Sequence, residues 1–237
     1  MSTGIVTFRE QLQLRLRSMS AGPELQLGKV VLGRYANCTL GTRTALQLRW
    51  WLTPYEAIAS RVPTNGVVLE LGCGHGLLSM TLGTQASRRR VLGIDSDDRR
   101  IQIARDACLG MPNVEFEVGS PTIALARQAR RFVGIVMLGL HQLPPHDQRS
   151  FLAQAYEQLL PGGVLLIRVL NSVRCHSLLP KFSRGRRRQT GSTQGNINQN
   201  RRVSEWKELL QSQGFGVTIE RCGRFPFFDR MLVCLKV

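Results

Sequence analysis

The chain has 237 residues, of which 43% are hydrophobic, and this suits one α/β domain with a full core plus a few added elements. Its 32 Lys and Arg against 16 Asp and Glu give a formal net charge of +16, which favours anionic partners or surfaces. No apolar run reaches the roughly 18 residues of a membrane span, and no secretory leader pattern opens the chain. The six cysteines are dispersed without metal-binding spacing, so we expect a soluble, cytoplasmic protein with reduced thiols and no metal.

The first 60 residues carry helical patterns and precede the first strong strand. Residues 8–19 place apolar side chains at helical spacing with arginines between them, which fits a helix packed over the domain or lying on a membrane surface. Further along, Thr53 stands before Pro54 and predicts a helix that Thr53 caps. We therefore expect residues 1–60 to form a helical cap.

Residues 67–76 read VVLELGCGHG, an apolar run typical of a buried strand that ends in three closely spaced glycines. Such glycines allow a sharp turn and a close approach of the backbone to a ligand, where a Cβ would clash. The dinucleotide fingerprint G-x-G-x-x-G/A would need a small residue at Leu77, so the pattern argues against a pyrophosphate ligand. Glu70 adds a carboxylate that would repel a phosphate and attract a cation.

A second acid ends the next apolar run. Asp95 lies 23 positions after Gly72, close to the roughly 20 expected for an acid that accepts hydrogen bonds from ribose hydroxyls. Asp residues also commonly cap helices, and a helical pattern follows here, so Asp95 is also a candidate helix cap. Both roles are compatible with this stretch, because Ser96 and Asp97 are available as caps as well.

The rest of the chain alternates strand and helix patterns as a parallel sheet requires. We expect strands at 113–120 and 132–140, a fifth strand entered from residue 164 through the turn Pro161-Gly162-Gly163, helices at 147–160 and 204–213, and a closing antiparallel pair at 214–222 and 230–237.

Residues 171–203 form an insert that contains eight Arg or Lys and no acid. Its Gly, Asn, Gln and Ser content predicts a loop rather than a packed element. The basic part, residues 181–202, fits an RNA backbone, an acidic carrier protein presenting an acyl substrate, or an anionic membrane surface, and it also fits a merely solvated loop.

The E-x-G-x-G-x-G pattern over Glu70–Gly76, joined to Asp95, resembles the class I S-adenosylmethionine-dependent methyltransferases. LHQLPP at 140–145 and LLPGGVLLI at 159–167 resemble short stretches of their small-molecule branch. The resemblance covers roughly residues 50–237. It implies an α/β, Rossmann-like, mostly parallel seven-stranded sheet with an antiparallel C-terminal strand, in a catalytic domain over 61–237 that follows the N-terminal helical cap.

The same resemblance implies S-adenosylmethionine as the cofactor. Its candidate ligands are Glu70, Gly72, Cys73, Gly74, His75, Gly76, Asp95, Ser96, Gly119, Ser120 and Leu138. Where the family usually has an acid for the adenine amino group, this chain has Gly119 and Ser120, and a serine hydroxyl can donate or accept one hydrogen bond.

Candidates for the acceptor pocket are Tyr35, Trp51, Tyr55, His141 and Gln142. His141 follows the predicted fourth strand and is the candidate general base. In the branch that the chain resembles, the equivalent His often lines the pocket or holds a loop instead. Alignment of donor and acceptor can supply most of the acceleration of a methyl transfer.

The sequence therefore predicts an S-adenosylmethionine-dependent methyltransferase that acts in biosynthesis on a small-molecule, lipid-like or carrier-bound metabolite, with oxygen as the favoured acceptor. One alternative is an rRNA or tRNA methyltransferase, which the net charge favours and the missing N/D-P-P-Y/F/W acceptor motif opposes. The other is a noncatalytic relative that binds a partner through the basic loop.

Overall fold

The computed structural model describes residues 23–128, 131–169, 201–222 and 229–237. In chain order its elements are α1 (Pro23–Gly33), α2 (Leu40–Leu52), α3 (Tyr55–Ala59), β1 (Gly66–Leu71), α4 (Leu77–Gln85), β2 (Arg89–Asp95), α5 (Asp98–Ala107), β3 (Val114–Val118), α6 (Pro121–Arg127), β4 (Phe132–Met137), a 3-10 turn (Leu140–Gln142), α7 (Pro145–Gln158), β5 (Leu159–Val169), α8 (Val203–Ser212), β6 (Phe215–Cys222) and β7 (Asp229–Lys236).

The strands form one seven-stranded sheet in the order β3-β2-β1-β4-β5-β7-β6. The strands from β1 to β5 pair in parallel, and β7 runs antiparallel to both of its neighbours, β5 and β6. The predicted fold class is confirmed. Because the chain order reverses between β1 and β4, the carboxyl ends of these two strands open the crevice where open α/β sheets bind ligands.

Helices cover both faces of the sheet. The helices from α1 to α5 pack on one face and bury side chains such as Leu46, Ile58 and Ile101, while α6, α7 and α8 pack on the other. β5 shows the two-sided burial clearly, since Leu166 belongs to the first core and Leu165 to the second. Burial on both faces is the reason that such strands read as continuous apolar runs. Within the described ranges, no helix is long and apolar enough to cross a bilayer.

Two sequence expectations were wrong in detail. Thr53 does not begin a helix: it ends α2, its N–H donates to the carbonyl oxygen of Arg49 at 3.0 Å, and α3 starts only after Pro54. The turn expected at 161–163 lies inside β5, where the register against β4 jumps from Leu159 to Val164 and Gly162 has a φ of +73°. The helix expected at 8–19 lies outside the described residues.

Arg89 is a fully buried arginine at the start of β2. Its guanidinium donates to the carbonyl oxygens of Pro63, Leu82 and Val62 at 2.8, 2.8 and 2.7 Å. These three oxygens belong to the segment before β1 and to α4, so one side chain ties the start of the sheet to the helix that covers it.

We predict that Arg89→Met lowers the free energy of unfolding by on the order of 3 kcal/mol, because three buried carbonyl oxygens lose their donors. The neighbouring Arg90 is the matched control: it is exposed and lies 3.5 Å from Glu115. Arg90→Met is expected to cost about 0 to 1 kcal/mol, as is usual for exposed ion pairs. Urea denaturation measures both variants, and equal losses would contradict the role given to Arg89.

Candidate functional site

A glycine turn, residues 72–76, connects β1 to α4 at the carboxyl edge of the sheet. Gly72, Gly74 and Gly76 have φ values of +74°, +58° and +79°, which L side chains rarely adopt. A Cβ added at Gly76 would lie 2.4 Å from the ring of Phe116, whereas one added at Gly72 would meet no atom within 4 Å. The turn is therefore packed tightly on its inner side and leaves open space beside Gly72.

Asp95, the last residue of β2, fixes this turn. One of its carboxylate oxygens accepts a hydrogen bond from the Gly74 N–H at 2.8 Å, and the other accepts one from the Asp97 N–H at 3.0 Å. Asp97, not Asp95, caps α5, since its side chain accepts from the Arg100 N–H at 3.2 Å. A carboxylate held in this way still has lone pairs for the hydroxyl groups of a ligand.

Glu70 lies near the end of β1 and is 4% exposed. The Ser79 hydroxyl donates to its carboxylate. Burial raises the pKa of Glu70 to about 7, although the hydrogen bond from Ser79 and the charge of Arg49 oppose the rise. This carboxyl group therefore titrates near neutral pH, and a cation placed beside it would favour the ionised form.

Arg49 is a residue of this site that the sequence reasoning missed. It is carried on α2, and a Cβ added at Gly74 would lie 3.0 Å from its Nη1 atom, so the guanidinium lies against the glycine turn. Among the described residues no ion pair engages it. The sequence gives no local signal for this placement, because it arises from the packing of α2 against a turn more than 20 residues away.

Tyr35 contacts the backbone of the glycine turn. It is 1% exposed, and its hydroxyl donates to the carbonyl oxygen of His75.

Burial, followed by the charge of Arg49, lowers the pKa of His75 to about 4, so its imidazole is neutral at neutral pH. Cys73 is buried, and burial strongly raises the pKa of its thiol, which keeps it protonated and poorly suited as a nucleophile.

Gly119 and Ser120 follow β3 beside the turn. The Gly119 N–H donates to the backbone carbonyl oxygen of Asp95 at 3.0 Å, and the hydroxyls of Ser120 and Thr122 lie 3.2 Å apart. Ser96 is exposed directly after Asp95. The ends of β2 and β3 thus present one carboxylate and several hydroxyls along a single edge.

The segment after β4 contributes the remaining edge residues. Leu138 is partly buried against the first core, and His141 is half-buried in the 3-10 turn. The exposed Gln142 reaches back over Gly139, where an added Cβ would lie 3.4 Å from the Gln142 amide nitrogen. Because β4 is the neighbour of β1, these residues stand beside the glycine turn along the edge of the sheet.

The two other aromatic candidates occupy different environments. Tyr55 is buried, with its ring centroid 5.2 Å from that of Trp50, so it packs within the core. Trp51 is 43% exposed at the end of α2.

Most of the basic loop at 181–202 lies outside the described residues. Of its arginines, Arg201 donates to Gln148 at 3.0 Å and stacks over Trp206, and Arg202 immediately precedes α8. Among the described residues no group of three His, Cys, Asp or Glu side chains could hold a metal ion.

The residues at this edge of the sheet fall within a stretch that matches a known protein family. The family described as "Methyltransferase domain" matches residues 68–163, which contain the glycine turn and Asp95. The chain is 28% identical over 117 residues to the carboxy-S-adenosyl-L-methionine synthase of Alteromonas mediterranea, and the match covers 47% of each chain. It is 31% identical over 118 residues to the ubiquinone biosynthesis O-methyltransferase of Xylella fastidiosa, covering 49% of this chain and 47% of that protein.

The chain therefore spans about half the length of these relatives. Among solved structures, the magnesium protoporphyrin IX methyltransferase of Synechocystis PCC 6803 with bound SAH superposes with a TM-score of 0.58. The sequence identity is 16%, and the match covers 82% of this chain and 85% of that one. At this identity the likeness establishes the shared fold.

The raised pKa of Glu70 predicts a specific dependence of stability on pH. Between its ordinary value of 4.5 and about 7, the folded protein binds more protons at Glu70 than the unfolded chain does, so the free energy of unfolding falls as pH rises through this range. Glu70→Gln removes this effect while keeping an oxygen that can accept from Ser79.

We expect the melting temperature of Glu70→Gln, relative to the unmodified protein, to increase as pH rises from 4.5 to 7. Glu115→Gln, at an exposed glutamate on β3, is expected to show no such increase. If the difference in melting temperature between Glu70→Gln and the unmodified protein stays constant with pH, burial does not raise the pKa of Glu70.

Proposed function

We propose that this chain, which belongs to the class I S-adenosylmethionine-dependent methyltransferase family, transfers a methyl group from S-adenosylmethionine to an oxygen atom of a small-molecule or lipid-like metabolite. One observation carries the proposal: the Asp95 carboxylate is held 2.8 Å from the Gly74 N–H in a glycine turn that also follows the buried Glu70. A nucleoside that carries a positive charge complements this pair of acids, and a phosphate does not.

The nucleoside end of S-adenosylmethionine fits the edge formed by β2 and β3. Asp95 would accept hydrogen bonds from the ribose hydroxyls through the lone pairs that the Gly74 and Asp97 N–H groups leave available. Open space beside Gly72 leaves room for the ligand to approach the backbone. Ser96, Gly119 and Ser120 would border the adenosine, with the Ser120 hydroxyl in the place of the usual acid.

The methionine end fits Glu70 and Arg49. When bound, S-adenosylmethionine supplies a methyl group on a sulfonium, which is already activated for transfer. Glu70 would stabilise the positive charge of this end and lose its proton as it does so, since a nearby cation lowers the pKa of a carboxyl group. Arg49 would bind the carboxylate through charge-assisted hydrogen bonds, in the position where its guanidinium already lies against the turn.

His141 supports oxygen as the acceptor atom. Its half-buried imidazole follows β4, at the edge where the acceptor would meet the methyl group, and would take the hydroxyl proton as the oxygen attacks. The exposed Gln142 and Trp51 would line the acceptor pocket, and the buried Tyr35 and Tyr55 would support it by packing. The Xylella fastidiosa relative, by its name an O-methyltransferase, favours the same atom.

The location and partners belong to the same proposal. We further propose that residues 1–60 act as a cap for a catalytic domain at 61–237, and that the basic loop at 181–202 binds an acidic carrier protein or an anionic surface. A cytoplasmic location is favoured because the five described cysteines are free thiols.

The direct experiment is incubation of the protein and S-adenosylmethionine with a metabolite extract, followed by mass spectrometry. We expect one or more metabolites to gain the mass of a methylene unit only when both are present. Calorimetric titration with S-adenosylmethionine, performed in parallel, is expected to show binding. The absence of binding would contradict the proposal, and binding without a methylated product would favour a noncatalytic role.

For Arg49→Ala we predict about 10-fold or greater loss of affinity for S-adenosylhomocysteine, because a charge-assisted hydrogen bond of roughly 1.5 to 3 kcal/mol is removed. Affinity for 5′-methylthioadenosine, which has the same nucleoside and sulfur but no amino-acid end, should not change. Arg43→Ala on the same helix is the control and should bind both ligands normally. Equal losses for the two ligands would rule out the carboxylate contact.

His141 is tested with the acceptor that the metabolite experiment identifies. A general base typically contributes about 10² to 10⁴ in rate, so His141→Gln should reduce turnover within this range and remove the decrease of turnover at acid pH. The affinity for S-adenosylhomocysteine should remain unchanged. An unaltered pH profile would remove His141 as the base and leave it as a pocket residue.

A further inference from the structure

We propose that Arg168 is a positioning residue for donor binding, which together with Asp229 holds the last turn of α2 so that Arg49 lies against the glycine turn. The inference rests on the proposed function, since it assigns a role to a residue outside the donor site in shaping that site. It is carried by a continuous line of hydrogen bonds from β7 to Arg49.

The line of hydrogen bonds begins at a largely buried ion pair between β5 and β7. Arg168 on β5 donates from Nε to the carboxylate of Asp229 on β7 at 2.6 Å, and its Nη2 atom pairs with the same carboxylate. The Arg168 and Asp229 side chains are only 13% and 9% exposed. Both nitrogens donate to the same carboxylate oxygen, Oδ2, and these charge-assisted hydrogen bonds hold the guanidinium beside Asp229.

The remaining donors of Arg168 point away from the sheet to the end of α2. Nη1 donates to the Thr53 hydroxyl at 3.1 Å, and Nη2 donates to the Leu52 carbonyl oxygen at 3.2 Å. The last carbonyl groups of a helix have no partner within the helix, and a cation near them is favourable. Arg168, which lies on the sheet, therefore supplies a hydrogen-bond donor and a positive charge to the C-terminal end of α2.

Thr53 links Arg168 to the backbone of Arg49. Its N–H donates to the Arg49 carbonyl oxygen at 3.0 Å, so the hydroxyl and the N–H of one residue connect the sheet to the turn of helix that carries the guanidinium. Arg49 itself is exposed apart from its contact with the glycine turn. A shift of the last turn of α2 would thus move Arg49 without disturbing Asp95 or Glu70.

A second ion pair provides a matched control. Arg61 follows α3 and pairs through Nε with Glu220 on β6, so it also joins the N-terminal helices to the C-terminal strands. Its side chain also donates to the Ala57 carbonyl oxygen and the Ser60 hydroxyl, and neither residue belongs to α2. Breaking this pair removes a similar connection at a place that does not carry Arg49.

The test compares binding of S-adenosylhomocysteine and 5′-methylthioadenosine to the full chain by calorimetry. Removing Arg168 alone would leave Asp229 buried and unpaired, so the pair is replaced together as Arg168→Met with Asp229→Leu. Thr53→Val is a second, milder variant that removes only the hydroxyl. Arg61→Met with Glu220→Leu is the control.

We expect both Arg168→Met with Asp229→Leu and Thr53→Val to lose about 5-fold in affinity for S-adenosylhomocysteine, as couplings of roughly 1 kcal/mol imply. Binding of 5′-methylthioadenosine should be unchanged. In the Arg49→Ala background neither change should cause a further loss, because the residue through which they act is gone. The Arg61 control should bind both ligands as the unmodified protein does.

Equal losses for both ligands, or losses that persist in the Arg49→Ala background, would overturn the inference while leaving the proposed function intact. If the unmodified protein binds neither ligand, the proposed function fails and the inference fails with it. Thr53→Val keeps the test decisive even if the variant of the buried pair does not fold.

Discussion

The hydrogen bond between the Gly74 N–H and the Asp95 carboxylate is the interaction on which the rest of the site depends. It ties the turn after β1 to the end of β2, beside two further bonds from the N–H groups of Gly72 and Cys73 to the Ile94 carbonyl oxygen. These contacts require positive φ values in the turn and the absence of a Cβ where Phe116 packs under Gly76. The fold thus places a fixed carboxylate next to exposed backbone at the edge where parallel sheets bind ligands.

Charge determines what kind of ligand this arrangement can hold. Asp95 and the buried Glu70 supply two acids, and Arg49 supplies one cation beside Gly74 of the turn. Burial keeps Glu70 partly protonated near neutral pH, since it raises the pKa of this carboxyl group to about 7. A ligand with hydroxyls, a positive centre and a carboxylate satisfies all three groups, and these are the features of the donor of the methyltransferase family.

Local patterns were sufficient for much of this architecture. The spacing of Glu70, the glycines and Asp95 predicted both the turn and its acids, because the ends of consecutive parallel strands meet at one edge. Long-range contacts could not be predicted in this way. Arg49, Arg168 and Asp229 come from distant parts of the sequence and meet only through packing. Thr53 shows the limit most clearly, since a threonine before a proline has the local pattern of a helix start, whereas tertiary contacts make it the end of α2.

The central claim is that the glycine turn and Asp95 form the site for S-adenosylmethionine. A crystal structure of the full chain with S-adenosylhomocysteine tests it most directly. We predict that the ribose hydroxyls lie on the Asp95 carboxylate, that the carboxylate of the ligand lies on Arg49, and that the sulfur lies between the glycine turn and the segment after β4. A ligand bound elsewhere, or crystals that do not take up the ligand at saturating concentration, would contradict the account.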